Sequence, residues 1–187
     1  AYGYDNGQNS EGRAYVYYGS LTGLLPQQSG PFQWITESNQ ANAYFGYSVS
    51  TAGDVNGDGY SDVIVGAYGY DNGHSNEGSA FAYHGSPGGL RSSASHTAES
   101  NQSDANFGYS VSTAGDVNGD GYSDIVIGAE SFDNGELNEG RVYVFHGSAS
   151  GPGASADWIA ESERENARFG CAVSTAGDVN GDGYSDI

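Results

Sequence analysis

Oxygen-bearing side chains recur in this chain at a spacing that suits a hard cation. The nonapeptide Asp54-Val55-Asn56-Gly57-Asp58-Gly59-Tyr60-Ser61-Asp62 returns unchanged at 116–124 and 178–186, each copy 62 residues after the last. Carboxylate or carboxamide oxygens stand at its positions one, three, five and nine, and glycine at position six permits the sharp turn that gathers them. In the first copy the candidate ligands are Asp54, Asn56, Asp58, the main-chain carbonyl of Tyr60, and Asp62. The second copy offers Asp116, Asn118, Asp120, the Tyr122 carbonyl and Asp124, and the third Asp178, Asn180, Asp182, the Tyr184 carbonyl and Asp186. Several hard oxygens from one tight loop are what Ca²⁺ requires, so three calcium ions per chain are expected. Mg²⁺ is less suited, because it prefers a strict octahedron and retained waters. Softer metals would want Cys or His, which these loops lack. Solvated Asp/Gly turns with capping side chains could explain one copy. Three identical copies favour the metal.

The ligand order opens like an EF-hand loop but departs from it at position twelve, where Val65 and Ile127 replace the bidentate Glu. The ninth-position Asp must therefore bind directly or close the shell. Bound cations would also answer the composition. The formal charge is −19, from 24 acidic residues against 5 arginines and no lysine. Three Ca²⁺ would offset six of those charges, leaving about −13. Nucleic acid is excluded as a partner, since phosphate binding needs Lys and Arg to replace counterions. Insertion into a membrane is not expected, because no apolar run is long enough to span one as a helix. Cys171 is the only cysteine, so an intrachain disulfide is impossible, and a small buried thiol is expected at that slot.

The elements that must carry these loops are strands. Within the period from Glu99 to Glu161, Phe107 to Ala114 reads as a first strand from its alternation and its Val and Thr content. After the acidic nonapeptide, Ile125-Val126-Ile127-Gly128-Ala129 is apolar throughout, as in a strand covered on both faces. A Gly-, Asn- and acid-rich loop leads to a third strand at Arg141–His146, and Trp158-Ile159 marks a short fourth. The other third strands are Arg13–Tyr18 and Ser79–His84. Residues 37–66 and 99–128 differ at only six of thirty positions, so one element order serves both copies. The segment from Gly19 to Glu37 is four residues longer than its counterparts, the one indel in the period.

No segment carries a sustained helical stripe, and the repeated Gly and Asn would penalise one. The layer covering each sheet must then be the next repeat's own sheet. This predicts an all-β fold, a β-propeller of four-stranded antiparallel blades packed radially, with a linear β-solenoid as the alternative. Residues 1–187 form one propeller segment, three blades' worth of sequence, beginning after a second strand and ending at the start of another. Known propellers have four to eight blades, so two chains closing into a six-bladed homodimer are expected.

Phe107-Gly108, then Ala114-Gly115-Asp116 through Asp124, then Ile125 to Ala129, resembles the FG-GAP repeat of integrin α-subunit propellers and their bacterial relatives. The match recurs at Phe45-Gly46 to Ala67 and at Phe169-Gly170 to Ile187, so it covers essentially the whole chain. Ala-Glu or Ala-Tyr stands where the family often has Ala-Pro. The resemblance implies a propeller with Ca²⁺ between the first and second strands of its blades, and a ring face used for partners. Six blades would depart from the integrin ring.

The functional expectation is a non-enzymatic, calcium-binding structural or protein-interaction scaffold, outside the cell or at its surface, of recently duplicated or engineered repeats. Acidic loops of this kind would stand empty at cytosolic calcium. The alternative is a lectin-like propeller in which aromatics such as Trp34 and Trp158 stack on sugars. His84 and His146 share one repeat position and His96 takes that of Trp34 and Trp158, all reading as packing or rim residues. No nucleophile and base arrangement is evident.

Overall fold

The computed structural model describes residues 1–21, 23, 24 and 33–187. Its strands are β1 (Arg13–Tyr17), β2 (Gly19–Ser20), β3 (Gly23–Leu24), β4 (Gln33–Glu37), β5 (Ser48–Gly53), β6 (Asp62–Ala67), β7 (Ser79–Tyr83), β8 (His96–Glu99), β9 (Phe107–Gly115), β10 (Asp124–Ala129), β11 (Arg141–Phe145) and β12 (Trp158–Glu161). Among the described residues there is no helix. Two four-stranded antiparallel sheets follow chain order, β5-β6-β7-β8 and β9-β10-β11-β12, which is the blade pattern. β1 pairs with β4 in a two-stranded sheet, and β2 with β3 in a small hairpin. Most of the longer Gly19–Glu37 segment lies outside the described residues.

The continuous apolar runs are explained by cover on both faces. In β6, Ile64 joins Phe107, Ile125, Ile127 and Phe145 on one side. Its neighbour Val65 joins Ala14, Trp34, Phe45 and Tyr83 on the other. Strand alternation sends successive side chains to opposite faces, so β6 needs an apolar residue at every position. β10 repeats the arrangement, with Ile125 and Ile127 against the β5–β8 sheet and Val126 turned toward Val142, Val144 and Val173.

The sheets meet most closely at paired glycines. A Cβ on Gly66 would come 2.0 Å from the Gly108 carbonyl oxygen, and one on Gly128 would come 1.9 Å from that of Gly170. Ser48 Oγ donates to the Gly108 carbonyl and Ser110 Oγ to that of Gly170, each at 2.7 Å. Only a residue without a side chain lets these inner strands approach.

Several boundaries differ from the sequence reading. The fourth strand runs to Glu161 rather than stopping at Ile159, because Glu161 lies opposite Arg141 and pairs with it at 3.0 Å. Glu99 likewise ends β8, opposite Ser79. In the third copy, residues 169–187 form no named strand, and their one bridge joins Gly177 to Asp186. Cys171 is exposed, not buried. It sits at the repeat position of Tyr47, which is also exposed, so the slot belongs to a surface and not to the core.

Candidate metal centre

Each acidic loop is wound around its first carboxylate. In the second copy, Asp116 Oδ1 accepts the N–H groups of Gly119 and Asp120 at 2.7 and 3.1 Å, and Oδ2 accepts that of Gly121 at 2.9 Å. Asp178 holds Gly181, Asp182 and Gly183 in the same way, at 2.7, 3.1 and 2.9 Å. Asp54 receives Asp58 and Gly59 at 3.0 and 2.8 Å. The winding demands left-handed backbone at positions four and six, and Gly57 (φ 69°) and Gly59 (φ 87°) supply it.

Positions three and five close the turn. Asn56 Oδ1 accepts the Asp58 N–H at 3.1 Å, while Asn56 Nδ2 donates to Asp58 Oδ2 at 2.9 Å. The Asn56 amide, with help from the Tyr60 N–H, holds the exposed Asp58 carboxyl below the usual range. For Asp178 the Gly183 N–H has the same effect.

Position nine behaves differently. Asp62 is fully buried, accepting the Val55 N–H at 2.9 Å on one oxygen and the Gly85 N–H at 2.7 Å on the other. Asp124 copies it with Val117 and Gly147, both at 2.8 Å. Burial pushes both carboxyls up despite these amide donors. In the third loop Asp186 keeps the Val179 N–H at 2.9 Å. The structure thus gathers positions one, three and five, and turns position nine inward to backbone amides. Among the described residues, no three Asp, Glu, His or Cys side chains converge on one point.

The donor chemistry nonetheless fits a hard cation. Every candidate ligand is oxygen, and a carboxylate oxygen that accepts one N–H keeps a further lone pair. The carbonyls of Tyr60, Tyr122 and Tyr184 accept no backbone hydrogen bond among the described residues, so each is open to a ligand. In a calcium-bound loop, positions one, three, five and seven would supply oxygens and position nine would complete the shell from the inner side, where its amide bonds also tie the loop to the blade.

At the other end of the same hairpins lies a feature that the sequence reading missed. Tyr47 precedes β5 and Tyr68 follows β6, so both lie opposite the acidic loops. Their rings meet at 4.7 Å, and Tyr109, Tyr44 and Tyr2 extend the cluster. The hydroxyls of Tyr47 and Tyr109 are hydrogen-bonded at 3.0 Å. The signal was available, since Tyr47 and Tyr109 share one repeat position and Tyr2 and Tyr68 another.

Stacked four-stranded sheets, each with an oxygen-rich loop joining its first and second strands, define a β-propeller segment. A family model described as FG-GAP repeat matches residues 45–83 and 107–145, so the chain carries FG-GAP repeats. It is 38% identical over 161 residues to integrin alpha-PS2 of Drosophila melanogaster, covering 79% of this chain and 11% of that protein. It is 32% identical over 170 residues to integrin alpha-7 of Mus musculus, covering 90% of this chain and 13% of the relative. Integrin alpha-7 of Homo sapiens matches at 35% over 145 residues, covering 76% of this chain and 12% of that protein. The chain therefore spans only about an eighth of these relatives' length. Among the described residues no helix is long and apolar enough to cross a membrane.

Proposed function

We propose that this chain is a calcium-stabilised, non-catalytic propeller scaffold that presents a recognition surface outside the cell or at its surface. The observation that carries the reading is the threefold recurrence of one oxygen-only loop, wound on its first carboxylate and anchored at its ninth residue. Calcium would neutralise the exposed carboxylates and hold the turn between first and second strands. Because the unfolded chain binds the ion poorly, ion binding adds to folding stability, by about 2.7 kcal/mol per site at a hundredfold excess over Kd. The similarity to integrin α subunits supports an adhesive or protein-binding role, and the exposed tyrosine cluster is the surface best suited to it. Ring closure by self-association belongs to the same proposal. Trp158 and Ile159 are exposed on β12, where a partner would cover them.

Thermal unfolding in calcium, magnesium and chelator tests the metal reading. A transition that calcium raises and magnesium leaves nearly unmoved supports it. Identical transitions in all three would refute it. The lectin alternative keeps support from the tyrosine cluster and from Trp158. It loses Trp34, which is buried against Tyr83 at 4.7 Å and donates its indole N–H to the Arg91 carbonyl at 2.8 Å. A glycan array in calcium separates the two readings.

A further inference from the structure

Neighbouring acidic loops touch through the same two residues at both junctions. The Tyr122 ring lies over Gly57 so closely that a Cβ there would come 2.6 Å from Cε1 of the ring. Gly57, at φ 69°, is the pivot between the candidate ligands Asn56 and Asp58. The next residue, Ser123, donates its N–H to the Asp54 carbonyl at 3.0 Å. One junction further along, a Cβ on Gly119 would lie 2.5 Å from Cε1 of Tyr184. Ser185 donates its N–H to the Asp116 carbonyl at 2.9 Å, and Asp116 N–H returns a bond to Ser185 Oγ at 3.2 Å. Residues seven and eight of each later loop thus hold residues one and four of the loop before.

We infer that Tyr122 and Tyr184 are positioning residues shared between adjacent cation loops, so that filling one loop prepares its neighbour. The inference rests on the reading that the loops bind calcium. Each tyrosine has two duties. Its carbonyl would serve the ion of its own loop, and its ring packs on the glycine of the turn between two candidate ligands of the preceding loop. With that carbonyl engaged, the main chain at the residue would be fixed, and with it the ring that it carries. The glycine beneath the ring has no side chain with which to resist. A ring held in place restricts the preceding loop to the turn that ligation needs, which reduces the ordering cost of the second ion. Such coupling must be reciprocal, so ions in the earlier loop also favour the later one.

The contact uses the ring edge and not the hydroxyl, which makes Phe the informative substitution. Calcium titration of the intact chain by calorimetry is expected to show positive cooperativity. Tyr122→Ala and Tyr184→Ala should abolish it and weaken binding about fivefold or more, the lower range of typical site coupling. Tyr122→Phe and Tyr184→Phe should restore it. As a second arm, Asp182→Asn in the third loop should weaken the remaining sites in the parent chain, but have no such effect in the Tyr184→Ala background. Metal-free unfolding of each variant separates loss of fold from loss of coupling. A parent isotherm of independent sites, or equal cooperativity in the Ala variants, overturns the inference while leaving calcium binding intact. Absence of calcium binding overturns the scaffold reading and this inference together.

Discussion

The backbone N–H of Phe107 donates to the carbonyl of Glu77 at 3.0 Å, joining the first residue of one blade to a fully buried residue of the blade before. Phe45 makes the same bond to Glu11 at 3.1 Å and Phe169 to Glu139 at 2.9 Å. The carboxylate of Glu77 meanwhile accepts the N–H groups of Asn72 and His74. One residue therefore shapes the loop between β6 and β7 and fastens it to the next sheet. Glu77→Ala is expected to lose about 1–3 kcal/mol, because the Asn72 and His74 amides lose their acceptor and a fully buried side chain is removed. Glu77→Gln should recover part of that loss. Urea unfolding at fixed calcium measures both, and an Ala variant as stable as the parent would remove the assigned role.

The glycine contacts give a sharper steric prediction. Gly66→Ala and Gly128→Ala place a methyl against a neighbouring carbonyl, and overpacking of that kind costs about 1–3 kcal/mol. Gly88 has only Ser86 Oγ near its missing Cβ, at 3.8 Å, so Gly88→Ala should fall within about 0.5 kcal/mol of the parent. Equal effects at the three positions would contradict the close approach of the inner strands.

Two carboxylates of one loop should separate metal binding from folding. Asp58 is exposed at the tip, so Asp58→Ala should diminish the calcium-induced rise in melting temperature far more than it alters melting in chelator. Asp62→Ala strands the Val55 and Gly85 amides and should lower melting under both conditions. A loss in chelator as large for Asp58→Ala as for Asp62→Ala would overturn this division.

His96 supplies a pH dependence. Its ring packs on Phe145 at 5.7 Å with Nε2 buried and without a hydrogen-bond partner among the described residues. Burial pushes its pKa down, and nearby His84 pushes the same way. The unfolded chain then takes up the proton first, so this contribution to stability is present above about pH 6.5 and is lost as pH falls toward the folded-state value. The difference in urea midpoint between parent and His96→Phe, followed from pH 8 to pH 5 in chelator, should grow in favour of the variant on acidification. Parallel curves would sink the assignment.

Self-association is decided by mass. Light scattering in calcium should return two chains per particle if strands of one chain complete the sheets of another. A monomer at all concentrations would remove that part of the proposal.

The blades were legible because three copies restate one pattern, and because Ile64 and Val65 betray two covered faces without any partner being known. The ligand types were legible for the same reason. The inward turn of Asp62 was not, since it depends on the amide of Gly85, far along the chain and on another loop. Nor does local sequence show that the carboxylates of Glu77 and Glu139 turn inward to accept the amides of Asn72 and Asn134. Cys171 misled in the opposite direction. Cysteine is a small apolar residue that favours interiors, but its repeat position is exposed here, as it is at Tyr47.

The duplicate contacts of Ser48 with Gly108 and Ser110 with Gly170 also bear on how the chain reaches its native state. A folding repeat meets the same chemical surface whether its neighbour lies on its own chain or on another molecule. Only the tether, through the local concentration it imposes, favours the intramolecular partner. Crowded refolding should therefore yield exchanged and tangled assemblies, each joint correct and the whole miswired, while slow refolding at high dilution should suppress them.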